Sequence, residues 1–457
     1  MRVNGHDNEG SASPSAERAD TGERSHAERR VDSRMSRRGL LAAAAASAGG
    51  AVLARLPAAA QTPAPGAAPA ARGAGATQAL DATAVPADPT VAPGPPTSAL
   101  GARSPFEHPA RAPTGVITGS SMTPLHQLAG TITPSDLVFE RHHAGVALID
   151  PRRYELMIHG LVERPMVFSL DDLRRLPSVS RTVFLECSGN GRAAFRAPTR
   201  EMTPQAVDGL TSNGEWTGVL VSTLFREVGV RRDATWFRAE GGDAARLSRS
   251  VPIEKGMSDA MIAYAFNGEP LRPSNGYPAR LLLPGYEGNA NVKWVRRIEL
   301  ADGPGMFRDE TAKYTDPLSN GTARQFSLVM DVKSIITSPA YPVKLAAPGW
   351  VEITGIAWSG RGRIGRVDVS TDGGRSWTMA ELQVPVLPIA HTRFRLPWRW
   401  DGGDATLMSR AVDETGAVQP TLAEFRDRRG AGTDYHFNYV RAWVVEGDGR
   451  VFFGGAL

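Results

Sequence analysis

Arg181-Thr182-Val183-Phe184-Leu185-Glu186-Cys187-Ser188-Gly189-Asn190-Gly191-Arg192 reads as a buried strand running into a turn. The first half is apolar and β-type and the second half is glycine-rich and polar, so the cysteine falls where the strand ends. Loops at strand ends are where sites are usually built. Cys187 is the sole cysteine in 457 residues, so no internal disulfide is available to it. It is either an inert buried thiol or a residue kept for its chemistry. Arg192, close behind it, can bring positive charge to the sulfur or to a bound oxyanion, and positive charge favours the thiolate, the form that binds metal. One thiolate cannot hold zinc or an iron–sulfur cluster, which need several protein ligands. It can complete the sphere of a metal already chelated by an organic cofactor. No Cys-x-x-Cys-His occurs, so this chain has no covalent c-type haem.

Outward from this stretch, residues 105–329 mix strand-like runs with short helical patterns, which predicts a mixed α+β domain. Phe168-Ser169-Leu170-Asp171-Asp172-Leu173-Arg174-Arg175-Leu176 reads as a helix with Ser169 as N-cap and Pro177 beyond its end. Leu281-Leu282-Leu283 before Pro284-Gly285 reads as a buried strand and a turn. Residues 330–457 read as all-β. Trp350–Trp358 alternates in polarity, and Val367–Trp377 is a strand, an Asp372-Gly373-Gly374 turn and a second strand. Short strands with frequent turns predict an immunoglobulin-like sandwich.

The first hundred residues have a different character. Residues 1–34 are polar and charged. Ser36-Arg37-Arg38-Gly39-Leu40-Leu41 then leads into an Ala-rich apolar run that ends in small residues near Ala60. Paired arginines, a modest apolar run and a small-residue cleavage site predict a twin-arginine export signal within residues 1–60, and so a periplasmic protein. Translation could start at Met1 or at Met35. Twin-arginine transport carries folded proteins, often with a cofactor already inserted, which raises the expectation of a complex cofactor. Residues 61–104, rich in Ala, Pro, Thr and Gly, predict a disordered tether. The apolar run is too short for a membrane span. The formal charge of +4 is spread over both signs without a long basic run, which gives no reason to expect nucleic acid as a partner.

The segment Cys187–Arg192 resembles the molybdenum-ligating loop of the sulfite oxidase family. Further matches follow in the family's order: Phe139-Glu140-Arg141-His142-His143; Ser250–Lys255; Ala263–Leu271; Asn275–Arg280; and Pro284-Gly285-Tyr286-Glu287-Gly288-Asn289-Ala290-Asn291-Val292-Lys293-Trp294. The resemblance covers roughly residues 105–450. Glu186–Arg192, Glu287–Trp294 and Asp309–Asp316 are most similar to molybdenum subunits of bacterial sulfane dehydrogenases.

This resemblance implies one molybdenum–molybdopterin per chain, with Cys187 as the protein's metal ligand. Arg141 corresponds to the family's substrate-side arginine, His143 to its pterin-contacting histidine and Tyr314 to its active-site tyrosine. Arg192 and Arg429 correspond to further arginines of the anion pocket. Arg141, His143, Asp243, Asn275, Arg280, Asn291, Val292 and Lys293 are implied cofactor contacts. Asn275 stands where many relatives have His, and His142 where they have Asn; His142 is given no role.

Oxygen-atom transfer to sulfur needs a two-electron metal centre, an anion pocket and water to supply the oxygen. The implied substrate is sulfane sulfur on a carrier protein, or free sulfite. With no haem or flavin motif in the chain, the electrons would pass to a separate c-type cytochrome. The resemblance also implies a homodimer through the C-terminal domain. Two other readings stand beside this one: a pterin-dependent reductase of sulfoxides, and a non-enzymatic exported β-sandwich interaction protein.

Overall fold

The computed structural model describes residues 96–455. The export signal and the first part of the tether lie outside them. Residues 96–104 are exposed and without regular structure, and the first strand begins at Ala112.

Two five-stranded sheets build most of the N-terminal region, beside a small sheet of Ala112–Pro113, Ser120–Met122 and Glu140–Arg141 and the pair Asp316–Pro317 and Ala323–Arg324. The first is antiparallel, with neighbours in the order Glu269–Pro270, Met261–Phe266, Thr211–Leu220 and Ser178–Glu186; Arg280–Leu282 also pairs with Met261–Phe266. The second is mixed. Its order is Met166–Ser169, Glu155–Gly160, Val295–Ala301, Trp236–Gly241 and Ser248–Pro252, with the Glu155–Gly160 and Val295–Ala301 pair parallel. The period-two alternation of strands divides the first sheet's side chains between two cores. Val219, Ile262 and Leu281 face the core shared with the second sheet, whereas Val183, Leu185, Met261, Ala263 and Leu282 face another, closed by Val138 and Phe139.

The predicted helix over 168–176 is found as Leu170–Arg175. Ser169 caps it, its hydroxyl accepting from the Asp172 N–H while the Asp172 carboxylate accepts from the Ser169 N–H. Phe168 belongs to the preceding strand instead, where it is buried.

Residues 333–453 contain, contrary to the all-β reading, the helix Leu422–Arg429, and they form two antiparallel sheets. One has the order Lys333–Ser338, Gly349–Trp358, Thr392–Trp400 and Glu381–Leu382; the other has Thr378–Met379, Ile364–Ser370, Ala405–Asp413, Ala442–Val445 and Val451–Phe453. They bury a common core of aliphatic residues with Trp358, Trp400 and Trp443, as a sandwich requires. The hairpin read at Asp372-Gly373-Gly374 is present, but its second strand is Thr378–Met379, beyond the span Val367–Trp377, and pairs Met379 with Asp368. This core does not stop at the sandwich: Leu125, Phe184, Ala194, Met202 and Val207 of the N-terminal region belong to it.

Candidate active site

Strand alternation decides what each residue of Ser178–Glu186 faces. Phe184 and Glu186 point toward the sandwich, and Phe184 packs on Trp358 with ring centroids 6.5 Å apart. Val183 and Leu185 point the other way, and Cys187, just past the strand, follows them. Its N–H donates to the Leu210 carbonyl at 2.9 Å, and its carbonyl accepts from the Asn190 N–H at 2.9 Å. The turn depends on Gly191 at φ +94°, where a Cβ would run into Arg441 and Asp208.

Cys187 lies at the boundary of two spaces. The inner one is lined by Cys187, Arg141, His143, Asp243, Asn275, Arg280, Asn291, Lys293 and Tyr314, among others. The outer one is an open vestibule bearing Arg141, Arg192, Arg196 and Lys313, with Asp434 as its carboxylate. Cys187, Arg141 and Tyr314 line both.

The inner chamber carries more buried positive charge than acid: Arg141, Arg280 and Lys293 line it with Asp243 as its carboxylate. Arg280 donates to the carbonyls of Asn275 at 3.0 Å and Asn291 at 2.8 Å, while its buried Nε has no partner. The ammonium of Lys293 bonds the Arg141 and Ser274 carbonyls at 3.1 and 3.0 Å and the His142 Nδ1 at 2.8 Å. Neither forms an ion pair with a carboxylate among the described residues. Burial pulls Arg280 down to about 9. Burial, and then Arg280 itself, holds Lys293 well below the usual lysine range. Buried cations of this kind need an anion to become stable. A phosphate-bearing ligand fits here, and the Asp243 carboxylate on the same lining suits the N–H edge of a pterin. Among the described residues no group of three or more His, Cys, Asp or Glu could hold a bare metal ion. A metal at Cys187 would take its other donors from a ligand such as the molybdopterin that the sequence implied, for which the chamber has the charge.

At the shared wall, the Tyr314 hydroxyl lies 2.6 Å from the His143 Nε2. Burial, then Arg141, Lys313 and Lys293, lower His143 to about 4, so it is neutral near pH 7, and according to its tautomer it accepts from the phenol or donates its Nε2–H to the phenolic oxygen. Burial raises the Tyr314 phenol, which keeps it a donor. Arg141 donates to the carbonyls of Thr118, at 2.8 Å, and His142, and forms no ion pair among the described residues. Burial raises the Cys187 thiol, opposed by the Gly189 N–H, Arg141 and Arg192. Arg192 reaches the vestibule from the first turn after Gly191, donating to the Asp434 carbonyl at 2.7 and 3.1 Å.

Three residues named from the sequence sit differently. Arg429, at the end of the helix Leu422–Arg429, lines neither space. It is buried between Asp316 at 3.1 Å and Asp331 at 2.8 Å, so its charge is already matched. The Val292 side chain is fully buried in the hydrophobic core and does not line the chamber. Asn291 reaches the chamber, but its amide is committed to Leu283, Tyr286 and Glu287 of its own loop. Conversely, His142, given no role from sequence, bridges Glu140 and Lys293 and stacks on Trp294. Asn289, Ser274, Arg196, Lys313, Asp434 and Tyr435 are further lining residues that the reading missed. Asn289 could have been found within the quoted Gly288–Asn291 run; Asp434 and Tyr435 carried no local signal.

Residues 143–306 match the family model described as oxidoreductase molybdopterin binding domain, and residues 324–441 match the Mo-co oxidoreductase dimerisation domain. Fold and site thus define a molybdopterin-binding oxidoreductase chain. Mitochondrial sulfite oxidase of Drosophila melanogaster is 33% identical over 327 residues, which cover 64% of this chain and 56% of that protein. Sulfite oxidase of Gallus gallus is 29% identical over 337 residues, covering 67% of this chain and 72% of that one. The crystal structure of the sulfane dehydrogenase SoxCD from Paracoccus pantotrophus is similar with a TM-score of 0.74 and 43% identity, over 81% of this chain and 99% of that chain. This chain belongs to the sulfite oxidase family of molybdopterin enzymes. It spans 56%, 59% and 60% of the length of the fly, rat and mouse sulfite oxidases. The match across both regions leaves the non-enzymatic interaction-protein reading without support.

Proposed function

We propose that this chain is an exported, periplasmic molybdenum oxidoreductase acting on sulfur. It oxidises sulfane sulfur held on a carrier protein, or free sulfite, with oxygen drawn from water, and passes electrons to a c-type cytochrome partner. The observation that carries this reading is the wall of Cys187, Arg141 and Tyr314, which stands between an inner cationic chamber and an outer basic vestibule.

When bound, molybdopterin supplies the two-electron oxygen-transfer chemistry. The residues do the rest. Arg280 and Lys293 would hold the anionic end of the cofactor, and the Cys187 thiolate, which lines both spaces, would ligate its metal. Arg192 and Arg196 share the single Asp434 carboxylate, at 3.5 and 2.7 Å, and with Lys313 leave the vestibule net positive, which draws in a negatively charged sulfur group; Arg141 aligns it through its planar fork of donors. With His143 as the Nε2–H tautomer donating to its oxygen, the Tyr314 hydroxyl keeps its own proton to donate at the wall without adding charge. The open vestibule suits a carrier arm. Its density of cations suits sulfite, and a stand-alone sulfite:cytochrome c dehydrogenase is the second reading. The match of residues 324–441 to a dimerisation domain supports a homodimer. The paired arginines at Arg37 and Arg38 support twin-arginine export.

Molybdenum content and cytochrome c reduction, with sulfite and with a persulfide-bearing carrier as donors, test the proposal in wild type and Cys187→Ser. About one molybdenum per chain and donor-dependent reduction in wild type, both lost in the variant, are expected. A folded wild type without molybdenum would sink it.

A further inference from the structure

The strand that ends at Cys187 turns one charged side chain away from the chamber, and that carboxylate is buried against the sandwich. Glu186 is 1% exposed. Its Oε1 accepts from the Lys333 ammonium at 3.1 Å and the Asn190 amide at 2.9 Å, and its Oε2 accepts from the Trp358 indole at 2.7 Å. Lys333 also contacts Asp208 at 2.6 Å, and Asp208 takes the fork of Arg441 at 2.9 and 3.0 Å. Lys333, Trp358 and Arg441 all belong to the sandwich; Glu186 and Asp208 belong to the cofactor region. All five side chains are buried.

These contacts bracket the cysteine. Glu186 precedes it directly. Asn190, which shares Glu186 with Lys333, donates its N–H to the Cys187 carbonyl, and its own side-chain oxygen accepts from Leu210. Leu210 in turn accepts the Cys187 N–H. Asp208 and Arg441 press on Gly191 so closely that a Cβ there would not fit. The His436 N–H donates to the Ser188 carbonyl at 2.7 Å, adding a further tie from the sandwich side. Charges this deep are costly unless every oxygen and proton is matched. Here both oxygens of Glu186 and both of Asp208 are matched, so the array tolerates little displacement.

We infer that Lys333 and Trp358 are positioning residues for the metal ligand: through Glu186 they fix the main chain at Cys187, so the sandwich sets the direction in which the thiolate meets the metal. The inference rests on the proposed molybdenum function and goes beyond it, because it gives the C-terminal sandwich a part in holding the metal ligand. Outer partners of metal ligands typically cost about 10–100-fold in metal affinity or activity when removed.

Trp358→Phe removes one donor to Glu186 and keeps an aromatic ring in the core. Trp400→Phe serves as control: Trp400 is buried in the same sandwich and donates its indole N–H to the Gly403 carbonyl at 2.8 Å, away from Cys187. Holoenzymes of wild type and both variants are compared by molybdenum content and by the thiolate-to-metal charge-transfer absorption. Trp358→Phe is expected to shift or broaden that absorption, or to lower molybdenum per chain by roughly tenfold, while Trp400→Phe matches wild type at a similar loss of melting temperature. Spectra and metal content of Trp358→Phe that superimpose on wild type would overturn the inference, as would equal changes in both variants. Should Trp358→Phe not fold, Glu186→Gln takes its place. It keeps the shape but sets an amide N–H against a donor on one side, and the same outcomes decide. A wild type that folds without molybdenum ends the functional reading and this inference together. Failure of the inference alone is recognised by a wild type that carries the metal.

Discussion

Arg141 and Arg429 carry the same side chain into opposite circumstances. Arg141 makes its hydrogen bonds to neutral carbonyls, so its charge is available to a ligand. Arg141→Gln should therefore lower kcat/KM for an anionic sulfur donor by about 1.5–3 kcal/mol, roughly 10- to 150-fold, the worth of a hydrogen bond to a charged group. Steady-state kinetics with sulfite would show it, and an unchanged value would remove Arg141 from the anion site. Arg429 is spent on Asp316 and Asp331. Arg429→Gln should leave KM for sulfite untouched and cost about 3 kcal/mol of stability by stranding a buried carboxylate, read as a lowered melting temperature. A raised KM with normal stability would return it to the anion pocket.

Short helices and strand ends carry this site, and local chemistry made several of them legible. Ser169 and Asp172 close the capping box that starts the helix Leu170–Arg175. Ser169→Ala should cost about 1 kcal/mol, visible in thermal unfolding, without altering cofactor content. The strand–turn at Arg181–Arg192 was readable because everything it needs lies in one contiguous run: an apolar strand, a cysteine and a glycine that tolerates positive φ. The partners of Glu186 were not readable. Lys333 lies 147 positions away, and nothing about an isolated Lys or Trp in a strand says which carboxylate it will meet. Arg429 was misplaced for the same reason. Its helix turns it toward acids at 316 and 331, a matter of packing rather than of neighbouring sequence. Val292 fits its motif by position while its side chain serves the core.

Across the whole molecule, the junction between the two regions responds to pH. His391 is buried between the Phe184 and Trp358 rings and contacts the Thr211 hydroxyl at 2.9 Å; burial, and then Arg393, depress it to about 3. Once unfolded it takes a proton near its ordinary 6.5, so the stability it confers is complete above that pH and is lost as pH falls from 6.5 toward 3. Glu140, held at about 2 chiefly by His142 and also by Arg111, adds a second loss between 4.5 and 2. Melting temperature should thus decline with acid from about pH 6.5. His391→Gln should flatten the upper part of that decline; a variant curve parallel to wild type would exclude His391 as its source.

The lone cysteine also gives the protein an internal gauge of its own loading. Cys187 opens on the vestibule, and no second thiol exists anywhere in the chain. A metal seated on that sulfur shields it, and an empty chain leaves it open to a maleimide. One intact-mass spectrum after labelling would then count vacant molecules directly, with one adduct for each chain that never received its cofactor.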